Sequence, residues 1–173
     1  MPTSRRHETV KVPVTIQAVA GTGIFAKGIA WWGAGYHGYS HIDIVLPDGR
    51  LLGARSDVIG GAPRGGVFIR PPFYDKWVRR STVTCLVEQK AAKEAMDFAM
   101  GQIGLPYAKD VILSLIEGKP DDPKGRWICS MLGGSFLFRA GAIADPGIPF
   151  SQMTPDTLHT CACAAGGTSR NYE

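Results

Sequence analysis

Cys129 and His41 are the two residues whose types could do covalent chemistry together. A thiol becomes a strong nucleophile when a neighbouring base takes its proton, and the base works best when a third group fixes its ring. Cys129 opens the run Cys129-Ser130-Met131-Leu132-Gly133-Gly134-Ser135-Phe136-Leu137-Phe138, where Ile128, Leu132 and Phe136 recur near helical spacing. A cysteine in the first turn of a helix faces the positive end of the helix dipole, which favours the thiolate. Gly141 stands where such a helix would end. Most lone cysteines in apolar helices are inert packing. The case for Cys129 therefore depends on what lies upstream.

Upstream, Ser40-His41-Ile42-Asp43-Ile44-Val45-Leu46 reads as a strand, Pro47-Asp48-Gly49 as a turn and Arg50 to Ser56 as the returning strand. Period-2 geometry puts His41 and Asp43 on one face. If Asp48-Gly49 is a two-residue loop, His41 pairs with Ser56 and Ile44 with Gly53. A longer or bulged loop brings Arg55 or Asp57 opposite His41 instead. Ser56 leads the candidates for the orienting group, followed by Asp43 and Asp57.

Other elements frame this pair. Val10 to Ala20 alternates as a first strand, and Ile24 to Trp32 fits a short helix before a glycine-rich aromatic loop, Gly33 to Tyr39. Val67-Phe68-Ile69-Arg70 is a short strand ended by Pro71-Pro72. Asp75 to Arg80 fits a helical turn and Thr82 to Val87 a strand holding Cys85 in the core. Gln89 to Ile103 carries an apolar stripe of Ala92, Ala95, Met96, Ala99, Met100 and Ile103. Gly104-Leu105-Pro106-Tyr107 closes that helix, and Val111 to Ile116 makes another. A polar turn, Gly118 to Lys124, leads to Cys129. Thr154-Pro155 supplies an N-cap and a first-turn proline for a late helix. Residues 1–9 and 164–173 read as flexible tails of a single domain, 1–173.

Composition narrows the function classes. The 173 residues hold 45% hydrophobic and 20% charged side chains, an ordinary globular balance, with a net charge of +4. Arg and Lys are scattered, which suits an anionic surface such as a cell wall better than nucleic acid. No apolar run reaches the length of a membrane span. Met1 to Glu8 lacks the apolar core of a signal peptide, so the reading is cytoplasmic synthesis with leaderless delivery, as for a phage-associated lysin or a secreted toxin. The four cysteines form no disulfide framework, and His159, Cys161 and Cys163 lie too close together for a four-ligand zinc set. No cofactor or metal is expected.

The order of these motifs resembles the circularly permuted NlpC/P60 (papain-like) superfamily, its YiiX-like branch and, more distantly, the lecithin:retinol acyltransferase-like proteins. The matching residues are Ser40 to Val45, Gly65-Gly66-Val67, Gly104-Leu105-Pro106-Tyr107, Trp127-Ile128-Cys129-Ser130 and Thr154 to Leu158, so the resemblance spans about Ile24 to Leu158. It implies Cys129 as nucleophile, His41 as general base, and Tyr107 beside the cysteine at the oxyanion site. Trp31, Trp32, Tyr36 and Tyr39 could line a groove next to His41. Two positions depart from the pattern. Met131 stands where members often carry Glu, and Gly53 where many carry a polar residue on the strand after the histidine.

The expectation is an α+β, permuted papain-like domain with an antiparallel sheet of about five strands and helices packed on it. The expected activity is amide hydrolysis by a Cys–His mechanism, and the resemblance implies peptidoglycan stem peptides as substrate. Two alternatives use the same residues or the same fold: a thioesterase or acyltransferase acting on acyl or lipid substrates, and an inactive binding or virion structural protein.

Overall fold

The computed structural model describes residues 9–21, 38–116 and 124–172. The expected helix at Ile24 to Trp32, most of the glycine-rich loop with Trp31, Trp32 and Tyr36, and most of the 118–124 turn lie outside these residues. Six antiparallel strands form one open sheet: β1 (Lys11–Gly21), β2 (His41–Val45), β3 (Leu51–Arg55), β4 (Gly66–Arg70), β5 (Trp77–Glu88) and β6 (Thr168–Tyr172), in the spatial order β4-β3-β2-β1-β5-β6. Among the described residues four α-helices accompany it: α1 (Gln89–Met100), α2 (Lys109–Ile116), α3 (Cys129–Arg139) and α4 (Pro155–Ala164). The architecture is α+β. Among the described residues no helix is long and apolar enough to cross a membrane.

Alternation sorts the sheet into two faces. Ile16, Ala18, Ile42, Ile44, Leu52, Ala54, Val67 and Val83 meet Ala95, Ala99, Leu132, Phe136, Leu137, Leu158 and Ala162 from α1, α3 and α4 in one buried core. The opposite face carries Gln17, His41, Asp43 and Arg70, all buried although polar. Helix α3 is buried nearly all round, as expected of a helix apolar on every side. It ends in a Schellman motif: Gly141 takes φ +70°, Ala142 N–H bonds Leu137 O at 2.9 Å and Gly141 N–H bonds Phe138 O at 3.0 Å.

Three expectations change. The hairpin loop has three residues, because Leu46 N–H bonds Arg50 O at 2.8 Å and Gly49 takes φ +83°. The register therefore moves by one, to Ile44 opposite Leu52 and Val45 opposite Leu51. Residues Trp77 to Arg80 are extended, not helical, because β1 pairs with them through Val19–Arg80, Ala20–Arg79 and Gly21–Trp77. Part of the expected C-terminal tail is β6, paired with β5 from Arg80–Tyr172 to Thr84–Thr168. Its side chains are nearly all exposed, so its order comes from backbone pairing and from Arg80 stacked 4.1 Å from the Tyr172 ring centroid. Apolar periodicity carries no trace of such a strand.

Gly133 and Gly134 let α3 approach its neighbours. A Cβ at 133 would lie 2.7 Å from Ile42 Cγ2, and one at 134 would lie 2.5 Å from Phe150 Cδ1. Replacing a helical glycine by alanine ordinarily stabilises by about 0.5–1 kcal/mol. Here overpacking reverses the sign, and Gly133→Ala is expected to destabilise by about 1–3 kcal/mol. Urea unfolding followed by circular dichroism checks this. A rise in midpoint would show that the helix does not need the close contact.

Candidate active site

Two backbone networks carry Cys129 to His41. Tyr107 and Trp127 form an isolated parallel bridge, with Trp127 N–H on Pro106 O and Ala108 N–H on Trp127 O, both at 3.0 Å. The same segment is tied to β4 by Gly104 N–H on Val67 O at 2.9 Å and Val67 N–H on Leu105 O at 3.0 Å. Gly66 is required at this junction. Its φ is +150°, and a Cβ there would sit 2.5 Å from Leu105 O. From the other side, β2 lies inside the sheet between β1 and β3, and Val19 pairs with His41.

Cys129 is the first residue of α3, after Ile128 in an extended conformation with no capping side chain. The first-turn N–H groups therefore keep their capacity to bind a developing oxyanion. The buried thiol faces the His41 ring and the Ile42 backbone N–H, both of which favour its charged form. His41 Nε2 lies 2.8 Å from Asp43 Oδ1, which leaves Nδ1 as the ring nitrogen for the sulfur. Tyr74 donates its hydroxyl to Asp43 Oδ2 at 2.9 Å and accepts from Arg55 Nη1 at 3.3 Å. His41, Asp43, Tyr74 and Arg55 thus form one continuous chain of hydrogen bonds, with the Cys129 thiol beside the ring at its end.

The electrostatics follow from this chain. Burial opposes the charged form of His41, but the charges of Asp43 and Cys129 and their hydrogen bonds outweigh it and raise its pKa to about 9. Burial likewise pushes the Cys129 thiol up, yet the His41 charge and hydrogen bond and the Ile42 N–H bring it below the ordinary thiol value. Asp43 is held below the usual carboxylate range, because His41, Tyr74 and Arg70 overcome its desolvation. Tyr107 is pushed well up, first by burial and then by the neighbouring Cys129 charge. It keeps its proton and can donate a hydrogen bond.

The structure brings Cys129, His41, Asp43 and Tyr107 together. Ser56 is half-buried beyond the end of β3, and the observed register places Arg55, rather than Ser56, in line with His41. Asp57 turns to Arg55 in a two-pronged pair, Nε to Oδ1 at 2.7 Å and Nη2 to Oδ2 at 2.6 Å. Tyr39 lines no groove. It is buried, with its ring centroid 4.7 Å from that of His159 and its N–H on Asp156 Oδ1 at 3.1 Å. Sequence reasoning missed Tyr74 and Arg70. Arg70 is 1% exposed and donates to Gly53 O, Phe68 O and Ile59 O. Both residues lie near Pro71-Pro72, where the sequence shows only a strand end, and no short-range spacing joins them to Asp43.

The Cys129–His41 pair titrates as a unit. The thiolate–imidazolium form exists above the depressed Cys129 pKa and is lost as pH rises through the His41 value of about 9. Iodoacetamide is therefore expected to label Cys129 well below the pH needed for Cys85 and Cys163, whose thiols burial pushes up. His41→Ala should erase that advantage. Tyr74→Phe, which removes one hydrogen bond to Asp43, should reduce it by less. Mass spectrometry of labelled peptides across pH reads each site, and equal labelling of Cys129 and Cys85 would contradict the ion pair. Compared with protein-family models, curated proteins and solved structures, the chain matches none of them.

Proposed function

We propose that this chain is a cysteine hydrolase with a permuted papain-like fold that cleaves amide bonds in peptides, with peptidoglycan stem peptides as its substrate class. One observation carries the reading. A thiol at the start of a helix stands beside a histidine whose Nε2 is held by a buried aspartate at 2.8 Å. The resemblance read from the motif order supplies the substrate class, and a net charge of +4 suits an anionic wall.

In this mechanism the Cys129 thiolate attacks the amide carbon. First-turn N–H groups of α3 and the Tyr107 hydroxyl stabilise the oxyanion. His41, already protonated, gives its Nδ1 proton to the leaving amine as the C–N bond breaks, leaving an acyl-thioester on Cys129. Neutral His41 then takes a proton from water, which attacks the thioester. The carboxylic acid leaves and the thiolate–imidazolium pair is restored. Asp43 holds the ring and stabilises its charge without taking the proton.

Digestion of purified cell wall tests the reading. The wild type is expected to release new amino termini from stem peptides while sugar strands stay intact. Cys129→Ala and His41→Ala should abolish release, and Asp43→Ala should lower the rate by about 10²–10⁴-fold. Full lytic activity in Cys129→Ala would overturn the mechanism. Thiol release from acyl thioesters, with no action on walls, would move the substrate to acyl groups on the same machinery.

A further inference from the structure

The acid that orients His41 comes from the histidine's own strand, and the residue across from it is a glycine. In the observed register Gly53 stands opposite Asp43, two steps along β3 from the Val45–Leu51 pair. The space confirms the placement. A Cβ built at 53 would overlap Asp43 Oδ1, lie 3.1 Å from its Cγ and stand 3.3 Å from His41 Nε2. The overlap with Oδ1 is closer than real contacts come, and the other two distances are tighter than most. Asp43 has little room to retreat. It is 1% exposed, its other oxygen is held by Tyr74 at 2.9 Å, and the register sets Gln17 of β1 beside it on the far side. The Gly53 carbonyl is fixed as well, since Arg70 Nη1 donates to it at 2.9 Å.

We infer that Gly53 is a positioning residue: the missing side chain at 53 is the space in which the Asp43 carboxylate reaches His41. Gly53 touches no reacting atom in this account and acts only through Asp43. Its backbone φ lies outside the left-handed region, so the need for glycine here is one of volume and not of conformation. The inference rests on the hydrolase reading for its importance. Its test uses thiol alkylation, which needs no substrate, so failure of one can be told from failure of the other.

Four full-length variants decide it by the pH profile of Cys129 labelling. Gly53→Ala should slow labelling at neutral pH by about tenfold or more and move the rise of the profile to higher pH, because His41 loses the contact that keeps it charged and so supports the thiolate less. Asp43→Ala should do the same. In Asp43→Ala/Gly53→Ala the second change should add nothing, since effects acting through one contact are not additive. The exchange Asp43→Gly/Gly53→Asp puts the acid across the strand pair, within reach of Nε2, and should label faster than Asp43→Ala. If Gly53→Ala fails to fold, rescue of folding by adding Asp43→Ala supports the steric account, and no rescue overturns it. A Gly53→Ala profile like the wild type, or equal losses with and without Asp43, overturns it too. If these results hold while no amide is cleaved, only the hydrolase reading falls.

Discussion

The hydrogen bond between His41 and Asp43 is the contact on which the rest of the structure depends. Asp43 is 1% exposed, and taking a carboxylate out of water costs several kcal/mol unless it is matched. His41 matches one oxygen and Tyr74 the other, with the buried Arg70 guanidinium adding its field. Breaking such a buried arrangement by deleting one partner typically costs about 3–5 kcal/mol. On the polar face of the sheet the Asp43 carboxylate is therefore matched at both oxygens. Arg55 is held by Asp57 and Asp75, and in turn donates to Tyr74. The glycines serve the same end by clearing volume: Gly66 under Leu105, Gly133 against Ile42 and Gly53 under Asp43.

The sequence made the architecture legible wherever apolar period and turn chemistry agreed. The strand of Ile42 and Ile44, the stripe of Ala95 and Ala99 and the capping of α4 by Thr154 and Pro155 all lie where the pattern puts them. Trp77 to Arg80 and Thr168 to Tyr172 were illegible for one shared reason. Each is extended because a neighbouring strand binds its backbone, and neither has an alternating apolar face to announce it.

The site divided along the same line. Residues two apart on one strand, His41 and Asp43, could be placed on one face from spacing alone. Whether Ser56 or Asp43 meets the ring turned on one residue in the hairpin loop, and Gly49 with its positive φ made the loop three residues long. Tyr74 could not be foreseen at all. It reaches Asp43 across 31 positions from an irregular segment, through a contact that only the folded chain creates.

The strand that carries His41 and Asp43 has a neighbour on each side, and the helix that opens with Cys129 is buried along most of its length. Elements of this kind exchange their amide hydrogens last, because releasing them takes nearly the full free energy of unfolding. Cys129, His41 and Asp43 therefore belong to the same cooperative unit as the core. A backbone fluctuation that carries this strand away from the helix would have to open the core. Loss of the reactive thiol on heating should then track global melting, with no earlier local step.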